Sequence, residues 1–290
     1  MTAEAVQRLC VVGAGTMGHQ IAMLGGLAGC ATAVVDVRAE ALEKGHASDR
    51  AHMARWVQRG RLTAAAALSR LRWTTELEEG ARDADFVIEA VVERLEEKRA
   101  VFSALDRVAP AHAILATNSS TIRGSLLSSA TARPDRVCNM HFFNPPLVME
   151  LVEVVMHPAT SEATADAAMQ LARRMGRLPI LLRQEISGFV VNRLLAAIVD
   201  EAVRLYEAGI ASFEDIDVAV KKGLRHPMGP FELMDMNGID IAYHVRMQRF
   251  AESGDPAQRP PRSIVERYER GEWGRKTGKG WYTYPPPSST

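Results

Sequence analysis

Apolar residues follow two rhythms along this chain. Through roughly the first 185 residues, short apolar and β-branched runs at 9–12, 33–37, 86–90, 114–117, 137–142, 151–156 and 179–182 alternate with stretches of helical spacing, among them 17–28, 39–59 and 95–108. Runs that are apolar at nearly every position belong to strands covered on both faces. Their alternation with helices makes βαβ units in a mostly parallel sheet. Beyond Glu185 the rhythm changes. Val190, Leu194, Leu195, Ile198, Val199, Ala202 and Leu205 recur at helical spacing, and no strand-like run returns before the tail. The pattern predicts an α/β domain over 1–185 and an all-helical domain over 186–290, with Ser187 capping the first long helix. Residues 285–290 read as a frayed end.

Composition narrows the function classes. A length of 290 residues suits two domains at roughly 150 each. Thirty-five basic residues balance 35 acidic ones, which argues against a general binder of nucleic acid or anionic membrane. Cys10, Cys30 and Cys138 are odd in number and widely spaced, with no Cys-x-x-Cys pair. They suggest neither a disulfide framework nor a zinc site and read as small buried apolar residues. His19, His112, His157 and His226 lack metal-ligand spacing, so no metal is expected. The uncharged stretch 9–35, with Arg8 before it and Ala31-Thr32-Ala33 within it, has a secretory leader as an alternative reading. Six glycines together with Thr16, His19 and Gln20 interrupt it, and no other segment approaches the length of a membrane span. The expected location is the cytoplasm, with no membrane partner.

Those glycines have a chemical explanation. Gly13-Ala14-Gly15-Thr16-Met17-Gly18 is a G-x-G-x-x-G that follows a strand and opens a helix. Gly13 permits the tight turn, Gly15 lets backbone approach a pyrophosphate, and Gly18 lets helix and strand pack closely. The helix start offers unpaired N–H groups to the phosphates. Asp36 ends the second strand 21 residues after Gly15, where a carboxylate bonds a ribose 2′-hydroxyl and repels a 2′-phosphate. The expectation is a Rossmann-type, doubly wound domain that takes NAD along Gly13–Gly18, Thr16 and Met17 included, and on Asp36. Arg38, two residues on, is placed to soften the preference against NADP.

Six further segments carry a sharper signal. They are Asp85-Phe-Val-Ile-Glu-Ala-Val-Val-Glu93, Ala116-Thr-Asn118-Ser-Ser120-Thr, His141-Phe-Phe-Asn144-Pro-Pro, Leu151-Val-Glu153, Ser187-Gly-Phe-Val-Val-Asn192-Arg-Leu and Gly274-Arg-Lys276-Thr-Gly-Lys-Gly-Trp-Tyr. Together with His226-Pro-Met-Gly-Pro-Phe-Glu-Leu, they make the chain resemble the NAD-dependent L-3-hydroxyacyl-CoA dehydrogenases, the 3-hydroxybutyryl-CoA dehydrogenase type included. The resemblance spans nearly the whole chain, with the motifs in family order. It implies a reversible oxidation of an L-3-hydroxyacyl thioester, a homodimer, and a helical domain that supplies the dimer interface and one wall of the cleft.

The residues also make chemical sense. Oxidising a secondary alcohol needs a base for the hydroxyl proton, and histidine changes charge near working pH. His141 ends a strand at the carboxyl edge, where ligands bind in such sheets. Glu153, twelve residues on, is where a return strand brings a carboxylate beside the imidazole to fix its tautomer. Ser120 and Asn192 match the family's substrate-bonding polar residues, and Glu93, Lys98, Asn118, Ser120, Asn144 and Lys276 match positions that contact the cofactor. At one place the chain departs from the family. Counting from Asp36 without gaps, Arg59 matches a coenzyme A-binding lysine, but His52 stands where a serine belongs. On a continuous helix His52, Arg55 and Arg59 share a face, suited to coenzyme A phosphates or an acidic carrier protein, or to solvent alone. The alternatives left open are a carrier-bound or free hydroxy acid substrate and a non-catalytic NAD-binding structural protein.

Overall fold

The computed structural model describes residues 6–58 and 65–285. The chain divides between Val190 and Val191 into two compact units. In the first, the order is β1 (Arg8–Val12), α1 (Gly18–Leu27), β2 (Ala31–Val35), α2 (Ala39–Gln58), α3 (Ala65–Leu68), β3 (Leu71–Thr74), α4 (Leu77–Ala81), β4 (Phe86–Glu89), α5 (Leu95–Val108), β5 (Ile114–Thr117), α6 (Gly124–Ser128), β6 (Val137–Phe142), β7 (Leu151–Val155), α7 (Glu162–Arg174) and β8 (Leu178–Leu182). The second holds α8 (Val191–Glu207), α9 (Phe213–Gly223), α10 (Pro230–Asn237), α11 (Ile239–Ser253) and α12 (Arg262–Glu269).

Among the described residues, the strands form one sheet in the order β3-β2-β1-β4-β5-β6-β7-β8. The pairings from β3 to β6 are parallel, β7 runs antiparallel to β6, and β8 is parallel to β7. This is the doubly wound order, with its reversal beside β1. Alternate residues of the apolar strands feed two cores. Leu9, Val11, Val34, Ile88, Ala116 and Met140 join one with α1 and α7. Cys10, Val12, Val35, Val87, Leu115 and Val137 join the other with α4 and α5. The stretch 9–35 is therefore β1, α1 and β2 in the middle of the sheet. All three cysteines are buried free thiols, and burial pushes Cys10 and Cys138 up to about 12. No helix among the described residues is long and apolar enough to cross a membrane.

The expected cap of the first long helix is corrected. α8 begins at Val191, four residues past Ser187, because Gly188 (φ 75°) and Phe189 (φ 46°) take left-handed backbone between them. An edge strand, β3, joins the runs expected from the sequence.

In the second unit, Val203, Phe231, Ile239, Ile264 and Trp281 form a core of their own. Two buried aspartates tie the tail into it. Asp235 accepts from the amides of Trp281 and Tyr282 at 2.9 Å and from Tyr284 Oη at 3.0 Å. Asp217 accepts from the amides of Phe231 and Glu232 and from Tyr282 Oη at 2.8 Å. A Cβ on Gly274 or Gly280 would lie 2.3 Å and 2.1 Å from atoms of Asp235, so the tail's glycines serve this contact. Asp235→Ala strands buried donors at about 1–3 kcal/mol each, and urea unfolding should show a loss of about 3 kcal/mol or more.

Candidate active site

Because β1, β2, β4, β5 and β6 run parallel, the segments that follow them share one edge of the sheet. The glycine loop follows β1. Gly13 has φ 103°, and a Cβ there would sit 2.5 Å from the carbonyl oxygen of Ala90, after β4. A Cβ on Gly18 would fall 1.7 Å from the Gly13 oxygen, whereas one on Gly15 would meet nothing within 4 Å. Two glycines thus close the loop on itself, and the third leaves open space at the start of α1. Asp36 follows β2 and is buried; it accepts the Ala14 amide at 2.9 Å and the Arg38 amide at 3.0 Å. The loop and the acid are one constructed unit. This arrangement fits a dinucleotide, with amides for a pyrophosphate and a fixed carboxylate for a ribose.

After β4 and β5 lies a charge network. Glu89 is wholly buried and accepts from Lys98 Nζ and the Val91 amide at 2.7 Å, and from Thr117 Oγ1 at 2.8 Å. Lys98, 1% exposed, also reaches Glu93 Oε2 at 3.2 Å and the Val91 oxygen at 3.3 Å. An ammonium has three N–H donors, and these contacts account for all of them. Lys98 therefore holds Glu93 rather than presenting a free donor. Glu93 also accepts from the hydroxyls of Ser119 and Thr121. Desolvation works to raise the Glu93 carboxyl, but Lys98 and these hydroxyls outweigh it and hold it below its ordinary range. Asn139 of β6 donates to the oxygens of Ser119 and Ile122, which fixes the loop carrying Ser120. Ser120 is half-buried, and its hydroxyl bonds no other described residue.

His141 and Glu153 are directly opposed in the β6–β7 register. Directly opposed residues point to the same face of a sheet. His141 Nδ1 lies 2.9 Å from Glu153 Oε2, with His141 6% exposed and Glu153 wholly buried. The second carboxylate oxygen accepts the Val190 amide at 3.0 Å. The His141 ring lies 4.6 Å from the Phe143 ring and 5.7 Å from the Phe189 ring, centroid to centroid. Asn118 Oδ1 accepts the Phe142 amide at 2.9 Å, tying the loop after β5 to the strand that carries the histidine. Asn144 is exposed three residues past His141.

The remaining expected residues lie on other elements. His52 Nδ1 bonds the Ser48 oxygen within α2 at 2.9 Å. Arg59 and the side chain of Arg55 lie outside the described residues. In the second unit, Asn192 is half-buried at the start of α8, and Lys276 Nζ donates to Asp240 at 2.6 Å. Glu89, Phe143, Phe189 and the Val190 amide join the site beyond the residues the sequence predicts. Only Glu89 had a signal, a carboxylate inside an apolar strand.

A histidine held by a buried carboxylate, on the same sheet edge as a dinucleotide-type loop, suits a nicotinamide-dependent alcohol dehydrogenase. Comparison with known proteins gives the same class. The sequence profile of the 3-hydroxyacyl-CoA dehydrogenase NAD binding domain matches residues 8–186, and that of the C-terminal domain matches 188–284. The chain belongs to the 3-hydroxyacyl-CoA dehydrogenase family. It is 38% identical to the probable 3-hydroxybutyryl-CoA dehydrogenase of Bacillus subtilis, over 98% of this chain and 99% of that one. It is 35% identical to the human mitochondrial hydroxyacyl-coenzyme A dehydrogenase, over 96% and 91%. The crystal structure of (S)-3-hydroxybutyryl-CoA dehydrogenase from Ralstonia eutropha superposes with a TM-score of 0.90 at 36% identity, covering 97% of this chain and 100% of that chain.

Proposed function

We propose that this chain reversibly oxidises a short L-3-hydroxyacyl-CoA, of the 3-hydroxybutyryl kind, to the 3-ketoacyl-CoA. The observation that carries this reading is the 2.9 Å contact between His141 Nδ1 and Glu153. NAD, when bound, supplies the hydride-accepting nicotinamide. With Nδ1–H donated to Glu153, His141 has Nε2 left to take the proton from the substrate's 3-hydroxyl, and the carboxylate stabilises the imidazolium that results. Ser120 and the Asn192 amide are assigned to the 3-oxygen. Gly13, Gly15, Thr16, Met17 and Gly18 take the pyrophosphate and Asp36 the adenosine ribose. Glu93, Asn118, Ser120, Asn144 and Lys276 take the rest of the cofactor, with Lys98 acting through Glu93. His52, Arg55 and Arg59 are assigned to coenzyme A phosphates. The first domain serves the cofactor, and the helical one serves substrate binding and homodimerisation. Three buried free thiols suit the reducing cytoplasm.

A panel of acetoacetyl groups tests this: the CoA thioester, a carrier-protein thioester, the pantetheine thioester and the free acid, each with NADH and NADPH at pH 8. The CoA thioester should have the highest kcat/KM. NADH should exceed NADPH by about tenfold or more, about 1.4 kcal/mol, because Asp36 repels a 2′-phosphate. A higher kcat/KM with the carrier-bound or free acid would overturn the substrate assignment, and equal use of the two cofactors would remove Asp36 from its role.

A further inference from the structure

Next to Asp36 the first unit has a cavity of about 370 Å³, and the proposed chemistry does not use His19 in its wall. Thr16, His19, Arg38, Glu40 and Lys44 contribute to its lining. Two of its wall residues, Ala14 and Arg38, are those whose amides hold Asp36, so the cavity adjoins the site assigned to the adenosine ribose. Its charge is mainly basic. Arg38 Nε stands 3.5 Å from Asp36 Oδ1, Lys44 is exposed and makes no ion pair with a described residue, and Glu40 is the one carboxylate in the wall.

His19 lies in the cavity wall against a buried carboxylate. It is 7% exposed, and its Nδ1 lies 2.7 Å from Oδ1 of Asp49, which is wholly buried. Asp49 Oδ2 has no hydrogen-bond partner among the described residues. Burial pushes the Asp49 carboxyl up, and His19, His52 and His46 work against that. With Nδ1–H pinned on Asp49, a neutral ring offers Nε2 only as an acceptor, while a protonated ring offers a charged donor. The charged groups in or beside the cavity wall are Glu40 and Lys44 on α2 and Asp36 and Arg38 after β2, and His46 and His52 on α2 act on Asp49.

We propose that this cavity accepts a phosphate on the adenosine ribose, the 2′-phosphate of NADP(H), and that His19 makes its acceptance depend on a proton. Arg38 and Lys44 attract the phosphate at any working pH, and Asp36 opposes it. Protonated His19 tips the balance. The discrimination against NADP(H) is then strongest at alkaline pH and weakens as pH falls. This rests on the reading of the loop as an NAD site, and a coenzyme A 3′-phosphate presents the same chemistry from another source.

Calorimetric titration of the full chain with 5′-AMP, adenosine 2′,5′-bisphosphate and adenosine 3′,5′-bisphosphate at pH 6.5 and 8.5 separates these. The ratio of the 2′,5′-bisphosphate Kd to the 5′-AMP Kd should fall by about fivefold or more from pH 8.5 to pH 6.5, as expected for one added charge-assisted bond. Lys44→Ala, at an exposed position, should raise that ratio by about threefold or more at both pH values. His19→Gln should hold it at its alkaline value. A ratio independent of pH in the unaltered chain, or an equal gain for the 3′,5′-bisphosphate, would overturn the proposal. Failure of 5′-AMP and NADH to bind at either pH would overturn the cofactor reading and this proposal with it.

Discussion

His141→Gln should lower kcat for acetoacetyl-CoA reduction by roughly 10²–10⁴, the usual worth of a general acid or base. The Kd for NADH, read by fluorescence titration, should stay within about twofold, because the ring contacts Glu153, Phe143 and Phe189 rather than the glycine loop. The loss belongs to the proton-transfer step, so KM for the thioester should move less than kcat. A variant that keeps its turnover would take His141 out of the reaction. One that loses NADH binding along with turnover would make it a structural residue.

The second large effect concerns the glycine loop, where two substitutions should fail differently. In Gly18→Ala the new Cβ meets the Gly13 carbonyl oxygen 1.7 Å away, and neither backbone can yield without moving α1 off β1. The expected result is overpacking damage of about 3 kcal/mol or more, read as a lower Tm, together with loss of NADH binding. In Gly15→Ala the new Cβ meets nothing in the protein, so the Tm should stay within about 2 °C. NADH should nevertheless bind about tenfold or more weakly, because a methyl group occupies the space a pyrophosphate needs. Two equally stable variants, or a Gly15→Ala that binds NADH normally, would remove the loop's assigned role.

Much of this was legible because the signals are local. The apolar runs of β1, β2 and β4 are covered on both faces, and the G-x-G-x-x-G with Asp36 carries its own geometry. The twelve-residue spacing of His141 and Glu153 is that of a direct cross-strand pair. What escaped depends on distant partners. β3 reads Leu-Arg-Trp-Thr and lies at the sheet edge with three of its four residues at least partly exposed, so it lacks an apolar run. Lys98 looks like any charge on an amphipathic helix until Glu89, nine residues earlier, draws it inside. No pattern announces a phenylalanine at φ 46°, yet that turn sets the start of α8 and aims the Val190 amide at Glu153. His19 and Asp49, thirty residues apart, meet only because α2 packs on α1.

If His141 works as a base because Glu153 holds it, the pH dependence of kcat should change in the Glu153→Gln variant. In the oxidation direction the imidazole must be neutral, so log kcat rises with pH through an acid limb. Removing the carboxylate's charge makes the imidazolium less stable. The expected result is a lower kcat plateau in Glu153→Gln, with the acid limb moved to lower pH relative to the unaltered chain. An acid limb at the same pH in both proteins would contradict it.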